Sequence, residues 1–274
     1  YGLVGSEMCI RDSNYPGELF AWLAGIAPEH STAWDCGTGS GQAAVGLAAH
    51  FDHVIATDPS ADQLANAQPH PKVSFRRTAA ESSGIDTASI DLLTVAQAIH
   101  WFDLERFYAE AKRVLKPCGV IAVWTYTLLD VEAGVDELIT DFDRNVVGPF
   151  WPPERKKVDD RYRSLPFPFE PIAAPGFSIT TEWSRDDLLG YLGTWSATQA
   201  YIQAKGIDPL ADFGRSEDDG VGRLRQQRED LGVGRGLAAD EGVEPGLLGL
   251  HDPLEVLGHV EPLREGLDEG LSVV

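Results

Sequence analysis

Short apolar strands alternate with helices along the first half of the chain, and this alternation limits the fold more than any other feature. Predicted strands cover residues 32–35, 54–57, 73–75, 90–95 and 120–124; predicted helices cover residues 16–27, 41–50, 61–67 and 104–114. Strands that alternate with helices at this spacing form βαβ units with parallel strands. Short strands that are mostly apolar suit a sheet that is covered on both faces. The sequence therefore predicts an α/β fold with a doubly wound, mostly parallel sheet.

The character of the chain changes after Trp124. Helical patterns at 135–146, 188–195 and 197–204 flank a stretch rich in proline and aromatic residues, and residues 177–183 alternate as a strand would. We interpret residues 146–213 as an aromatic helical cap within a domain that spans residues 14–213. The large aromatic side chains of this region are expected to be core residues more often than substrate contacts; they are Phe150, Trp151, Phe167 and Trp195.

Both ends of the chain differ in composition from this domain. Residues 1–13 resemble translated adapter sequence, so we expect a non-native leader there. Residues 214–274 contain no Phe, Trp or Tyr and hold 12 of the 28 glycines, so we expect an irregular tail that forms helix poorly. Two interpretations of this Gly- and Glu-rich tail remain open, a natural acidic tail and an out-of-frame translation.

Charge and cysteine content restrict the partners. The formal net charge is −21, which disfavours binding to a phosphate backbone, so we expect a small-molecule substrate and no nucleic acid. No apolar run approaches the roughly 18 residues that a membrane helix needs, and no signal peptide is evident. The three cysteines are scattered, which indicates neither a disulfide framework nor a metal site. These features predict a cytoplasmic protein; they do not predict its oligomeric state.

A glycine-rich loop follows the first predicted strand and opens a helix. Its sequence from Asp35 is Asp-Cys-Gly-Thr-Gly-Ser-Gly, with glycines at 37, 39 and 41. Glycines here permit a tight turn and a close approach of a ligand to the backbone. Asp35 is expected to order the loop or to meet a cationic ligand group. Asp58 ends the second strand, where a carboxylate can accept both hydroxyls of a ribose or cap the following helix.

The loop by itself does not identify one cofactor. The run that starts at Gly39 also fits the G-x-G-x-x-G/A fingerprint of dinucleotide-binding proteins. That fingerprint does not require the acid at position 35, however. Ligand-type residues also follow the later strands, with Ala80-Glu81 after the third and the run from Gln97 to Phe102 after the fourth.

Taken together, these motifs resemble the type 11 group of class I S-adenosylmethionine-dependent methyltransferases, which includes trans-aconitate methyltransferase-like proteins. The resemblance covers residues 15–213 and includes Leu-Lys-Pro-Cys-Gly at 115–119, which is similar to the family's L-K-P-G-G turn. It implies S-adenosylmethionine as the cofactor and methyl transfer to an oxygen atom of a small molecule, with a carboxylate as one candidate acceptor.

The resemblance also implies roles for individual residues. Asp35, Gly37 and Gly39 fall in the family's first motif, and Asp58 corresponds to its ribose-binding acid. Ala80 and Glu81 lie where the family contacts the adenine, and Gln97 lies at the methionine end of the cofactor. His100 is the candidate general base or a structural histidine, and Trp101 is a candidate substrate contact or a packing residue.

The sequence departs from the family pattern at two places, and each departure predicts a structural feature. Cys118 replaces a glycine, which is tolerable if this turn residue has a negative φ. No segment after Phe213 has the pattern of the antiparallel strand with which the family closes its sheet, so strand five is expected to keep an open edge.

Rival functions remain open from the sequence. A similar sheet occurs in NAD(P)-dependent oxidoreductases, although no Tyr-x-x-x-Lys pair follows the fourth or fifth strand. A non-catalytic binding module, or an inactive truncated methyltransferase, is the other alternative.

Overall fold

The structure is a computed structural model, and it describes residues 15–126, 128–129, 131, 133–179, 181–211, 213 and 247–248. The predicted leader and nearly all of the predicted tail lie outside these residues. The chain divides into two compact units. The sheet unit contains Gly17–Trp124 and Leu165–Pro175, and the helical unit contains the described residues of 15–16, 125–164, 176–213 and 247–248.

Five parallel strands form the centre of the sheet unit, as the sequence predicts. They are β1 Thr32–Cys36, β2 His53–Asp58, β3 Val73–Arg77, β4 Ile90–Ala96 and β5 Leu115–Trp124. The order across the sheet is β3-β2-β1-β4-β5. The order therefore reverses between β1 and β4, and open α/β sheets bind ligands at such a point, outside the carboxyl ends of the strands.

Helices connect these strands and supply the apolar layers. They are α1 Gly17–Ile26, α2 Gln42–Leu47, α3 Ala61–Ala65 and α4 Leu104–Val114. Trp34, Leu92 and Phe107 are fully buried, which is typical of a sheet covered on both faces. Phe167 and Phe169 return to this unit and pack edge-on against Tyr108, with ring centroids 6.0 and 5.6 Å away.

The start of β5 differs from the prediction. Leu115 already pairs with Ile90, and regular pairing resumes only where Val120 meets Leu92, so residues 116–119 form an irregularity within the strand. Cys118 lies in this irregularity with φ +65°. A cysteine is expected to be tolerable here if φ is negative, and the structure does not meet this condition.

Helices dominate the second unit. They are α5 Ala133–Asp141, which continues as a π-helical turn at Phe142–Val146, then α6 Arg155–Asp159, α7 Arg185–Thr194 and α8 Ser196–Lys205. Its core contains Phe142, Trp183 and Trp195, each less than a tenth exposed. The prediction that Trp195 is a core residue is confirmed; Phe150 and Trp151 pack partly buried against the same cluster. The position of this unit as a cap stays a prediction.

A short strand pair in the helical unit corrects two expectations, namely the extent of the strand predicted at 177–183 and the wholly irregular tail. Among the described residues of the segment predicted as a strand, 177–179 and 181–183, those assigned to a strand are β6 Thr181–Glu182. It pairs antiparallel with β7 Leu247–Leu248, which lies in the tail predicted to be irregular. These two residues pair with the helical unit rather than with the main sheet. Among the described strands, β5 has a neighbour on one side only.

The described helices are all too short or too polar to cross a bilayer.

The backbone at Cys118 generates a prediction for stability. A residue with a Cβ atom is destabilised by roughly 1–2 kcal/mol when its φ is positive, and replacement by glycine removes this cost. Glycine also has more conformational freedom in the unfolded chain, which cancels part of the stability gained. We expect Cys118→Gly to raise the free energy of unfolding by about 0.5–1 kcal/mol, measured by urea titration. Cys118→Ala keeps the Cβ atom and is the control, which should not gain. Equal gains in both variants would mean that the thiol, not the backbone, is the cause.

Candidate active site

The glycine-rich loop leaves β1 in a conformation that requires glycine at two positions. Gly37 has φ +73°, and a Cβ atom there would lie 2.5 Å from the Cβ atom of Ala98. Gly41, the N-cap of α2, has φ +92°, and a Cβ atom there would lie 2.7 Å from the ring of Phe75. Around Gly39, by contrast, a Cβ atom would meet only the Oε1 atom of Gln63, at 3.8 Å. The loop is thus packed tightly at its ends and open at its centre, where a ligand can approach the backbone.

The carboxylate of Asp35 holds this loop in place. It is 1% exposed, and it accepts hydrogen bonds from the Thr38 hydroxyl at 2.5 Å and from the Thr94 hydroxyl at 2.8 Å. The backbone N–H of Ala44 in α2 donates to it as well. Burial raises the pKa of Asp35 to about 6, although these three donors act in the opposite direction. Of the two roles predicted for Asp35, these contacts favour ordering of the loop.

Asp58 joins the centre of the loop to the connection after β2. Its Oδ2 atom accepts the Gly39 N–H at 3.0 Å, and its Oδ1 atom accepts the Ser60 N–H at 2.8 Å. Ser60, not Asp58, caps α3, since its hydroxyl accepts the Gln63 N–H. The cap alternative for Asp58 is therefore wrong, and its carboxylate lies at the open part of the loop, with 9% of the residue exposed.

Three carboxylates surround the end of β1. The thiol of Cys36 is fully buried there, and its pKa is raised by burial first and then by the negative charges of Asp35, Glu81 and Asp58. The sheet thus brings together acids that are up to 46 residues apart in the sequence. This edge of the sheet favours a ligand with hydrogen-bond donors or a positive charge.

The segment after β4 carries the other predicted site residues. Gln97 has φ +54°, and its N–H donates to the Trp124 carbonyl at 3.0 Å. A 3₁₀ turn, Ile99–Trp101, then presents His100, which is 8% exposed, and Trp101, which is 58% exposed. The two rings lie 4.8 Å apart. An exposed tryptophan beside a buried imidazole suits a surface that meets a substrate.

All the predicted site residues therefore lie on segments that leave the carboxyl ends of β1 to β4. Ala80 is 6% exposed, and the Oε1 atom of Glu81 accepts the Asp103 N–H at 3.0 Å. Sequence reasoning missed the threonines that serve the site, namely Thr38, Thr57 and Thr94. The Thr57 carbonyl accepts the N–H groups of Gly37 and Thr38, at 2.8 and 3.0 Å. A threonine within the apolar run that follows Asp91 in the predicted fourth strand was the available signal for Thr94.

Within the described residues, no group of three or more His, Cys, Asp or Glu side chains is arranged to hold a metal ion.

The raised pKa of Asp35 generates a prediction for the pH dependence of stability. Because its folded-state pKa is about 6 and its ordinary value is 3.8, its contribution is complete below pH 4 and is lost as the pH rises through 6. Asp35→Asn cannot ionise, and its amide can still accept from Ala44 and donate to a threonine. We expect the free energy of unfolding of the variant, relative to the natural chain, to rise by up to about 3 kcal/mol between pH 4 and pH 7.

Urea unfolding at pH 4, 5, 6 and 7 measures this difference. The control is Asp52→Asn, which removes an exposed carboxylate from the same unit. A difference between Asp35→Asn and the natural chain that does not vary with pH would show that Asp35 stays ionised in the folded state.

Comparisons with known proteins agree with this geometry. Residues 34–123 match the protein family described as methyltransferase domain. A protein of Dictyostelium discoideum assigned as a methyltransferase is 36% identical over 203 residues, which are 73% of this chain and 77% of that protein. An uncharacterized methyltransferase of Mycobacterium tuberculosis is 30% identical over 199 residues, 71% of this chain and 77% of that protein.

A solved structure extends the similarity over most of the chain. It is that of a proposed type II methyltransferase from Anaeromyxobacter dehalogenans, 39% identical, with a TM-score of 0.75 over 91% of this chain and 98% of that one. The five-stranded order, the glycine loop and the acids at the strand ends fit this relationship. The chain belongs to the class I S-adenosylmethionine-dependent methyltransferases.

Proposed function

We propose that this methyltransferase acts on an oxygen atom of a small molecule and that His100 is the general base of the reaction. The observation that carries the proposal is the position of His100. Its imidazole is held in a 3₁₀ turn at the carboxyl end of β4, on the same edge as the glycine loop and beside the exposed Trp101. A base is useful when the methyl acceptor is a hydroxyl group, which must lose its proton.

The residues of the strand ends fit the cofactor. The open centre of the loop at Gly39 leaves room for a ligand against the backbone, and Gly37 gives the loop its turn. Asp58 has a carboxylate at this place, and carboxylates accept the two hydroxyls of a ribose. We propose that the backbone at Ala80 and Glu81 lines the adenine end and that Gln97 lines the methionine end. Asp35 would act indirectly, through the loop.

The chemistry of the cofactor determines what the chain must add. S-adenosylmethionine supplies a methyl group already activated by its bond to a positively charged sulfur. The chain's own contribution is therefore to align an acceptor oxygen, to exclude water and to hold a proton at the imidazole of His100. Carboxylates and aromatic faces near the site stabilise a positive charge, and both are available at this edge.

The acceptor class is inferred from two features. The net charge of −21 disfavours nucleic acids, so a small molecule is the better substrate. The resemblance to trans-aconitate methyltransferase-like proteins suggests an acceptor that carries a carboxylate group. Trp101 would contact this acceptor. The family relationship favours a methyltransferase over an oxidoreductase, and a binding module without activity is the alternative that the experiments below test.

Binding of S-adenosylhomocysteine tests the cofactor site. We expect calorimetric titration of the full chain to show binding of this reaction product and none of NADH or NADPH. Asp58→Asn should weaken binding about 10- to 100-fold, because a hydrogen bond to a charged group contributes about 1.5–3 kcal/mol. Asp62→Asn removes an exposed acid in the next helix and is the matched control. Equal affinity in both variants would contradict the ribose role of Asp58.

Methyl transfer itself tests His100. The chain is incubated with methyl-labelled S-adenosylmethionine and a panel of small hydroxy acids, carboxylic acids and phenols. With an accepted hydroxyl substrate, we expect His100→Ala to lower kcat about 100-fold or more, because the acceptor hydroxyl loses its positioned base. His50→Ala is the control. Unchanged turnover in His100→Ala would make His100 structural, and labelling of carboxylates alone would remove the need for a base.

A further inference from the structure

The side chain of Glu81 bonds to the segment that carries His100 and Trp101. The segment from Gln97 to Asp103 carries His100 and Trp101, and its two ends are fixed differently. At its start, the Gln97 N–H donates to the Trp124 carbonyl at 3.0 Å. At its end, the Asp103 N–H donates to the Oε1 atom of Glu81 at 3.0 Å. Glu81 reaches this segment from the connection after β3, so the bond joins two parts of the chain 22 residues apart.

The middle of the segment is held by packing. A Cβ atom at Gly37 would lie 2.5 Å from Ala98 and 3.2 Å from the Phe102 ring, so the backbone of the glycine loop fills the space between these two residues. The segment also bonds to itself, since the N–H groups of Trp101 and Phe102 donate to the carbonyls of Ala98 and Ile99. The segment that presents His100 is therefore held at its start by β5, in its middle by the glycine loop and at its end by the bond from Glu81.

The bond from Glu81 acts at the point where the segment becomes a helix. Asp103 is the N-cap of α4, and its own Oδ1 atom accepts the Arg106 N–H at 3.3 Å. Its N–H lies outside the hydrogen-bonding pattern of the helix, so Glu81 supplies the acceptor that this donor needs. An ionised acceptor makes such a bond roughly twice as strong as a neutral one.

From this geometry we infer that Glu81 is a positioning residue, whose side chain fixes the turn that carries His100 and Trp101, and that it does not read the adenine ring through its side chain. The inference rests on the proposed function in one respect, the role of His100 as general base. The tether itself is a property of the chain without ligand or acceptor.

Hydrogen exchange of the free chain measures the tether directly. We expect Glu81→Ala to speed exchange of the amides of residues 99–106 at least tenfold, with the rest of the sheet unit unchanged. Glu81→Gln keeps an oxygen that accepts the Asp103 N–H and should restore most of the protection. Glu105→Ala removes an exposed acid from the first turn of α4 and is the control. Unchanged exchange in Glu81→Ala would overturn the inference.

A second pair of variants removes the donor instead of the acceptor. Asp103 has φ −72° and follows Phe102 with φ −84° and ψ 151°, so proline fits at this position. Asp103→Pro removes both the N–H donor and the side-chain cap, whereas Asp103→Ala removes only the cap. We expect faster exchange over residues 99–102 and a shifted His100 imidazole resonance in Asp103→Pro beyond any effect of Asp103→Ala. Equal behaviour of the two variants would contradict the tether, even if Glu81→Ala fails to fold.

Ligand discrimination separates the two roles of Glu81. S-inosylhomocysteine carries an oxygen in place of the adenine amino group of S-adenosylhomocysteine. If Glu81 only positions the turn, the ratio of the two dissociation constants stays within twofold between Glu81→Ala and the natural chain. A ratio that collapses toward one in the variant would show that Glu81 reads the adenine. Failure of both ligands to bind would count against the proposed function and leave the exchange result as the decisive test of the tether.

Discussion

The site depends on the hydrogen bonds that the buried carboxylate of Asp35 accepts. Removing a carboxylate from water is costly, and the structure offsets that cost with donors from three different elements. Thr94 belongs to β4, Thr38 to the glycine loop and Ala44 to α2. A single side chain therefore links β4, the glycine loop and α2 at the point where the chain leaves β1.

The same loop has a second anchor on β2, and the two anchors together make it rigid. The Thr57 carbonyl receives the N–H groups of Gly37 and Thr38, and the Asp58 carboxylate receives that of Gly39. These bonds satisfy the backbone donors of a turn that lies beyond the regular pairing of β1. A loop that is ordered by the protein alone loses little entropy when a ligand binds, which is the general advantage of a preorganised site.

The sequence predicted the strands and α4 to within a few residues, because each is an apolar or amphipathic run with clear ends. Leu104–Val114 begins after the capping residue Asp103 and matches the prediction at both ends. The start of β5 was missed because Lys116 and Pro117 are typical of a turn, whereas the pairing of Leu115 with Ile90 depends on register. The network around Asp35 was beyond the sequence as well, since Thr94 is 59 residues away and only the fold brings the two together. The ligand roles predicted for Asp58 and Gly37 rest on local motifs alone, and they stay predictions.

Two non-glycine residues with positive φ lie at opposite edges of the sheet, and their backbone strain has different consequences for the site. Gln97, with φ +54°, ends β4 at the edge that carries the site, and its N–H bonds to the neighbouring strand through the Trp124 carbonyl. Cys118, with φ +65°, lies near the start of β5, and the strands are parallel, so it lies at the opposite edge. Strain at the first place turns the chain toward His100 and Trp101 and is compatible with function. Strain at the second aims no residue at the site, and glycine at that position would relieve it without altering the geometry of the glycine loop.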